Sequence, residues 1–494
     1  MQPLSFLVAA LAGGLIASAA HTESMPPNIV LIVADDLGWN DVGYHGSEIA
    51  TPHLDRLAAE GVELDRFYVQ PTCSPTRASL MTGKSSLRLG VVRPISKNEE
   101  LGLPLSEHLL PEFLRDAGYQ TAMAGKWHLG HVEKRYFPHE RGFDSFYGHA
   151  TGGIGYWDHN HGGGHDWQRD GKTLREEGYS THLIADEAVR VVRDRDPEKP
   201  LFLYAAFNAP HLPNEAPPEA LARYPELTSV HRQGHAAMVS ELDAAIGRIL
   251  AALDAEGLRE DTLVWFLSDN GGLNRNAYGP GTLRLVDALV GVFGRPLPIE
   301  AFEFLRANVE EGASDNTPLR GGKMTVYEGG VRVPAIVRWP GRVESGVLDG
   351  RVTIQDVLPT ILQAAAAEPA EPAGAVDGRG LLGHLTGDSP TLEPADYAIT
   401  ALGSTAIYRG PWKLVLPAPG LFSDAPPELY HVLDDPGETR DLAAENPKLV
   451  ADLSAAAERW PRGPEIHGSF LGIFWDPDRF GGPEDREPWA ERAK

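Results

Sequence analysis

The sequence predicts an α/β fold with a largely parallel sheet, on two observations. Continuous apolar runs bounded by turn residues alternate along the chain with longer helix-like segments, the pattern of strands joined by helical crossovers. Four of those runs end in residues able to do chemistry, all at the carboxyl end of the run. With 494 residues, 42% hydrophobic and 23% charged, the chain can bury a substantial core, as one large domain or a large domain with a smaller companion.

Residues 1–20 read as an export signal: an apolar run followed by the small residues Ala17-Ser18-Ala19-Ala20, which resemble a cleavage site. The alternative is an N-terminal membrane anchor, because no Lys or Arg precedes the run. No later stretch is long and apolar enough to span a bilayer. The absence of any Asn-x-Ser/Thr acceptor favours a bacterial periplasm or exterior over a eukaryotic secretory route. A formal net charge of −25 argues against nucleic acid or anionic membrane partners, so a bound anion must be met by a local basic cluster.

Along the chain, the first strand, Asn28 to Ala34, stops at Asp35-Asp36. Next comes Cys73, the single cysteine, followed by a predicted helix with Pro75 in its first turn and Gly83 at its end. One cysteine makes no internal disulfide, so Cys73 is a buried apolar residue, a free thiol or something chemically special. A helix N-terminus there favours a bound anion. The run Tyr119 to Ala124 leads into Gly125-Lys126-Trp127-His128, and Leu201 to Phe207 leads into Asn208-Ala209-Pro210-His211. The fourth run, Thr262 to Ser268, stops at Asp269-Asn270-Gly271-Gly272. Ligands of open α/β sheets bind beyond the carboxyl ends of the strands, so the four ends are predicted to converge on one site.

Asp35, Asp36, Asp269 and Asn270 offer only hard oxygen donors, which suit Ca²⁺, and Mg²⁺ less well, rather than Zn²⁺. Three carboxylates gathered without a cation would raise one another's proton affinity.

The run Cys73-Ser74-Pro75-Thr76-Arg77 resembles the Cys-x-Pro-x-Arg signature of type I sulfatases, whose cysteine a maturing enzyme converts to Cα-formylglycine. It is joined, in the family's order, by Asp35-Asp36, Gly125-Lys126-Trp127-His128-Leu129-Gly130, Ala209-Pro210-His211, Asp269-Asn270-Gly271-Gly272, Leu319-Arg320-Gly321-Gly322-Lys323 and Tyr327-Glu328-Gly329-Gly330-Val331-Arg332-Val333-Pro334. The similarity runs from about Pro27 to the region of Trp460. Its stretch from Gly125 to Gly148 is most similar to the arylsulfatase B branch, whose members act on sulfated galactosamine.

The resemblance implies an alkaline-phosphatase-like core with a mixed β-sheet between helical layers, and a smaller C-terminal α+β domain with an antiparallel sheet. The expected division is a catalytic domain over 25–375, a C-terminal subdomain over 376–464 with a closing helix from about Pro447 to Trp460, and a loose or late-packing tail over 465–494. The resemblance also implies Ca²⁺ on Asp35, Asp36, Asp269, Asn270 and the modified Cys73. One oxygen of the hydrated aldehyde attacks sulfur, Arg77 stabilises the diol, Lys126 holds a sulfate oxygen, and His211 with Lys323 protonates the leaving alcohol. His128 then takes the proton of the second hydroxyl and sulfate is expelled, an escape that a sulfo-thiol lacks. Partners so implied are a sulfated carbohydrate or other sulfate ester, contacted by Lys126, His211 and Lys323, and a formylglycine-generating or anaerobic sulfatase-maturating enzyme. Phosphodiester or phosphonate monoester hydrolysis on the same fold, and non-catalytic binding of sulfated glycans, are the alternatives.

Two stretches stand apart. The long insertion at about 273–317 carries amphipathic pieces near Leu283 to Phe293 and Ile299 to Glu311, suiting a lid over the pocket or a surface decoration. The glycine-rich run around His159, His161 and His165 suits a transition metal, a pocket wall or sugar recognition by His159 or His161.

Overall fold

A computed structural model describes residues 25–96, 99–161, 164–274, 312–367, 376–389, 392–418, 425–467 and 487–494. The expected export signal, both amphipathic pieces of the insertion and the residues 368–375 at the end of the expected catalytic domain lie outside the described residues.

The apolar runs pair side by side. A ten-stranded sheet runs, edge to edge, through Gly346–Val347, Val62–Glu63, Ala335–Arg338, Thr262–Ser268, Asn28–Ala34, Leu201–Ala206, Gln120–Lys126, Ser145–His149, Gln168–Arg169 and Lys172–Thr173. Its middle five strands are mutually parallel, whereas Ala335–Arg338 and Gln168–Arg169 pair antiparallel on either side, so the sheet is mixed. The middle runs read as continuous because both faces are covered. Ile29, Leu31 and Val33 pack with Leu80, Met81 and Trp265, while Val30, Ile32 and Ala34 pack with Ile184, Leu242 and Ile246. The helices Ser180–Asp194 and Val230–Ala255 cover the second face, and Cys73–Thr82 and Val357–Ala364 lie on the first.

Register aligns the strand ends. Ala34 lies opposite Ser268, Ala206 opposite Gly125, and Lys126 opposite His149, so Asp35, Asp269 and Lys126 emerge at one edge of the sheet. The strand expected to stop at Ala124 runs on to Lys126. The Cys73 helix ends at Gly83, whose φ of 65° is the left-handed cap that glycine takes without strain.

A second, four-stranded antiparallel sheet joins Tyr397–Ala401, Ser404–Arg409, Trp412–Leu416 and Glu428–His431. Leu402 and Gly403, both at positive φ, make its first hairpin. One face packs Ile407, Leu414 and Leu429 against Leu453 and Ala457 of the helix Pro447–Glu458. The other packs Tyr397, Tyr408 and Tyr430 against Tyr68, Val326 and Val331, beside the turns that carry Cys73 and Lys323. At the C-terminus Trp489 is buried, and Lys494 exchanges backbone hydrogen bonds with Val132 and Lys134, so of the two states expected for the tail its last residues take the packed one.

Candidate active site

Four strand ends and one helix build the site. Asp35 is wholly buried and Asp36 nearly so, the latter at a φ of 68°. His128 takes a φ of 59°, and left-handed backbone at non-glycine residues costs energy that a fold keeps mostly at working sites. Asn270 donates from Nδ2 to Asp36 Oδ1 at 2.7 Å, and the Asp36 amide donates to Asp269 Oδ1 at 3.3 Å. Arg77, on the first turns of the Cys73 helix, reaches Asp269 Oδ2 with Nε at 2.9 Å and Nη2 at 2.8 Å, and donates from Nη1 to the Lys126 carbonyl at 2.8 Å. Lys126 Nζ lies 2.5 Å from Asp35 Oδ2, and Lys323 Nζ lies 2.7 Å from Asp36 Oδ2. His211 Nε2 stands 3.7 Å from that same oxygen.

The charges set the proton states. Burial and then the charge of Asp269 push Asp35 above the usual carboxylate range. Burial works the same way on Asp36, but Lys323, His211 and Lys126 outweigh it and hold Asp36 below that range. Burial pushes the Cys73 thiol up against the pull of Lys126 and Lys323, so the unmodified thiol is a poor nucleophile at neutral pH. Burial, with Lys126 and Arg77, pushes His128 well below its ordinary value. Burial and the Lys323 charge bring His211 down to about 3, so both imidazoles are neutral. His128 Nε2 donates to the Ile95 carbonyl at 3.0 Å, and Nδ1 has no hydrogen-bond partner. That nitrogen holds a buried lone pair, which is what a general base requires.

The chain meets a family model described as Sulfatase over residues 27–367. The chain belongs to the sulfatase family. It is 32% identical to arylsulfatase J of Mus musculus over 93% of this chain and 81% of that one. It is 36% identical to N-acetylgalactosamine-6-sulfatase of Rattus norvegicus over 75% of this chain and 68% of that one. Among solved structures, "Ps i-CgsB in complex with k-i-k-neocarrahexaose" superposes with a TM-score of 0.77 at 28% identity, covering 92% of this chain and 98% of that one. The chain is thus a sulfuric ester hydrolase on the alkaline-phosphatase-like fold.

In this sulfatase Asp35, Asp36, Asp269, Asn270, Arg77, Lys126, Lys323 and His211 form one connected cluster. The charges of Lys126, Lys323, Asp269 and Asp35 all act on Cys73. Asp35 Oδ1 and Asn270 Oδ1 are buried without a hydrogen-bond partner, and such oxygens are costly unless something cationic meets them. Asp35, Asp36 and His211 bring donor atoms within 4.8 Å of one another. The oxygen-rich donor set fits a hard divalent cation.

His159 lies apart from this cluster, 1% exposed, with its ring stacked on Trp167 and Nε2 3.1 Å from the Gly178 carbonyl. His161 and His165 likewise hydrogen-bond to the carbonyls of Gly153 and Leu174, and the three histidines form no metal cluster among the described residues. Sequence reading missed two residues that hold the site. Tyr204 OH lies 3.4 Å from Arg77 Nη1, and Ser74 links the His128 carbonyl to the Ile95 amide. Tyr204's hydroxyl inside an otherwise apolar strand was the one available sign.

Proposed function

We propose that this sulfatase removes sulfate from a sulfated sugar, using Cα-formylglycine made from Cys73 and Ca²⁺ held by Asp35, Asp36, Asp269 and Asn270. The observation that carries the proposal is the convergence of Arg77, Lys126, Lys323 and a neutral His128 around the N-terminus of the Cys73 helix. The sugar class rests on the relatives, one named for N-acetylgalactosamine 6-sulfate chemistry and one solved with a carrageenan-type oligosaccharide.

The hydrated formylglycine supplies one hydroxyl to attack sulfur and a second through which sulfate is expelled; the cation supplies Lewis-acid stabilisation of charge. The chain's own residues do the rest. Arg77 fixes Asp269 and reaches back to the Lys126 carbonyl, so one guanidinium orients two strand ends. Lys126 and Lys323 carry positive charge into a buried site, where it acts most strongly on a sulfate group. His211 Nδ1 donates to the Leu212 carbonyl at 2.7 Å, which leaves Nε2 an acceptor and Lys323 the proton-bearing group beside it. His128 Nδ1 accepts a proton through its free lone pair.

The reading includes export to a bacterial periplasm or exterior and maturation by a formylglycine-generating or anaerobic sulfatase-maturating enzyme. It is tested by the tryptic mass spectrum of the Cys73 peptide from the native host, followed by a panel of sulfated sugars with sulfate release as readout. An aldehyde at Cys73 and turnover of a sulfated sugar are expected. A quantitatively unmodified thiol in active enzyme would overturn the proposed nucleophile.

A further inference from the structure

The loop from Ala150 to His161 is the wall shared by the two histidines of the site. The His128 amide donates to the Ala150 carbonyl at 3.1 Å. A Cβ on Gly152 would come within 2.6 Å of the His128 ring, and one on Gly153 within 3.2 Å of the His211 ring, so the loop presses on both. Tyr156 OH lies 2.9 Å from the Asn208 carbonyl and 2.8 Å from the His211 carbonyl, pinning the loop to the turn that carries His211. The chain then closes on itself through Gly155 N to Asn160 O and His159 N to Gly155 O, both 3.1 Å.

Trp157 projects from this braced loop with 47% of its surface exposed. None of the other exposed large apolar side chains among the described residues is aromatic. Its indole is not adrift: it packs on Tyr179 at 5.0 Å between centroids, and Tyr179 stacks on Tyr156 at 5.1 Å and 20°. Three rings therefore run from the His211 turn to the surface. Exposed Asp158 and Asn160 follow Trp157 in the chain, and Asn160 donates to the Asp158 carboxylate from its backbone amide at 3.0 Å and from Nδ2 at 3.1 Å. A half-exposed indole is ordinary on a protein surface; this one stands on the loop that presses on both histidines, so apolar area there is available to a ligand with an apolar face that reaches the site.

A sugar ring has that character. Its hydroxyls lie around the rim and its C–H bonds line a face, which an aromatic ring with electron density above its plane attracts. Trp157 follows Tyr156, whose hydroxyl meets the His211 carbonyl, and is at most about 14 Å of chain from Gly153, within reach of a ring beside the sulfated one. A net charge of −25 disfavours holding the remainder of a polyanion by overall charge, which favours an uncharged contact for the neighbouring ring. We propose that Trp157 is the stacking platform of a second sugar subsite, covering the C–H face of the ring beside the one that bears the scissile sulfate, with Asp158 and Asn160 meeting that ring's hydroxyls. Recognition by His159, buried on Trp167, gives way in this account to the residue two positions before it. The inference rests on the sulfated-sugar reading above.

The test compares kcat/KM on a sulfated disaccharide drawn from the panel, on the corresponding sulfated monosaccharide and on 4-nitrophenyl sulfate, in the matured wild type, Trp157→Ala and Trp157→Phe. The disaccharide-to-monosaccharide ratio is expected to fall about tenfold in Trp157→Ala, chiefly through KM, and to recover in Trp157→Phe. An unchanged ratio in both variants overturns the subsite and leaves the sugar reading standing. Equal losses on disaccharide and monosaccharide overturn it as well, placing Trp157 on the sulfated ring or in loop support. If Trp157→Ala loses 4-nitrophenyl sulfate turnover through a damaged loop, the ratio in Trp157→Phe against a Trp157→Leu variant decides. A wild type that cleaves 4-nitrophenyl sulfate and no sugar of the panel overturns the sugar reading and the subsite with it.

Discussion

Arg77 and Asp269, 192 residues apart, form an ion pair with no solvent exposure on either side chain: Nε and Nη2 both meet Oδ2 within 2.9 Å. Burial lowers the proton affinity of the guanidinium, yet Tyr204, Asp269 and Asp35 outweigh it and hold the group charged. Removing one partner of such a pair strands the other. Arg77→Ala is expected to destabilise the fold by about 3–5 kcal/mol in urea unfolding. Arg77→Lys keeps the charge but not the fork that also reaches the Lys126 carbonyl, so it is expected to lose at least about a hundredfold in kcat while recovering part of the stability.

A cation that binds only the folded chain raises its stability by mass action, by about 2.7 kcal/mol at a hundred times Kd. Chelator-treated protein is therefore expected to gain melting temperature on adding Ca²⁺, and Zn²⁺ is expected to give a smaller gain. Asp36→Asn removes a carboxylate whose oxygens already meet Asn270 and Lys323, and it is expected to shrink the Ca²⁺-induced shift. An equal shift in wild type and variant would remove Asp36 from the cation site.

The strands that carry the site were legible because both of their faces are buried. Asn28–Ala34 shows no polar alternation for that reason, and its polar stop at Asp35 stands out. Lys126 and His128 were legible as the end of another such run, though the strand extends through Lys126 itself. What supports these residues was not legible. Asp166 lies 15 and 16 positions from the amides it accepts, and Glu328 sits 85 positions from Lys413, spacings that no local period reports. The role of the loop histidines stayed open in the sequence for a related reason: a carbonyl partner satisfies an imidazole as well as a metal does, and sequence reveals neither.

Asp166 is 1% exposed and accepts from the amides of Ala150 and Thr151, from Thr151 Oγ1 and from Gln168 Nε2. It thereby holds the start of the loop that presses on His128 and His211. Asp166→Ala leaves two buried N–H groups without acceptors, at about 1–3 kcal/mol each. Thermal unfolding is expected to show the loss, and kcat on a small aryl sulfate to fall more than KM changes, because the histidines proposed to move protons, and not the lysines proposed to hold sulfate, lose their wall.

Lys413 in the small sheet is wholly buried between two carboxylates, 3.1 Å from Glu328 Oε1 and 2.7 Å from Glu438 Oε1. Tyr68 and Tyr408 complete the shell of Glu328, and the glycine that follows Glu328 donates to the Arg320 carbonyl of the turn bearing Lys323. One cation cannot fully compensate two buried anions, and burial pushes Glu438 up to about 7, with Glu328 adding to the rise and Lys413 opposing it. Since the folded chain then keeps a proton that the unfolded chain loses near the ordinary value of 4.5, folding takes up a proton between pH 4.5 and about 7. This group's contribution to stability therefore falls as pH rises through that window and is flat above it. Glu438→Gln, which retains an acceptor for the Glu328 amide, is expected to remove that share of the slope when urea midpoints are measured from pH 4.5 to 8. A slope equal to that of the wild type would mean that Glu438 is ionised throughout. Lys413→Met is expected to be the more damaging change, by about 3–5 kcal/mol, because it leaves both carboxylates buried without their cation.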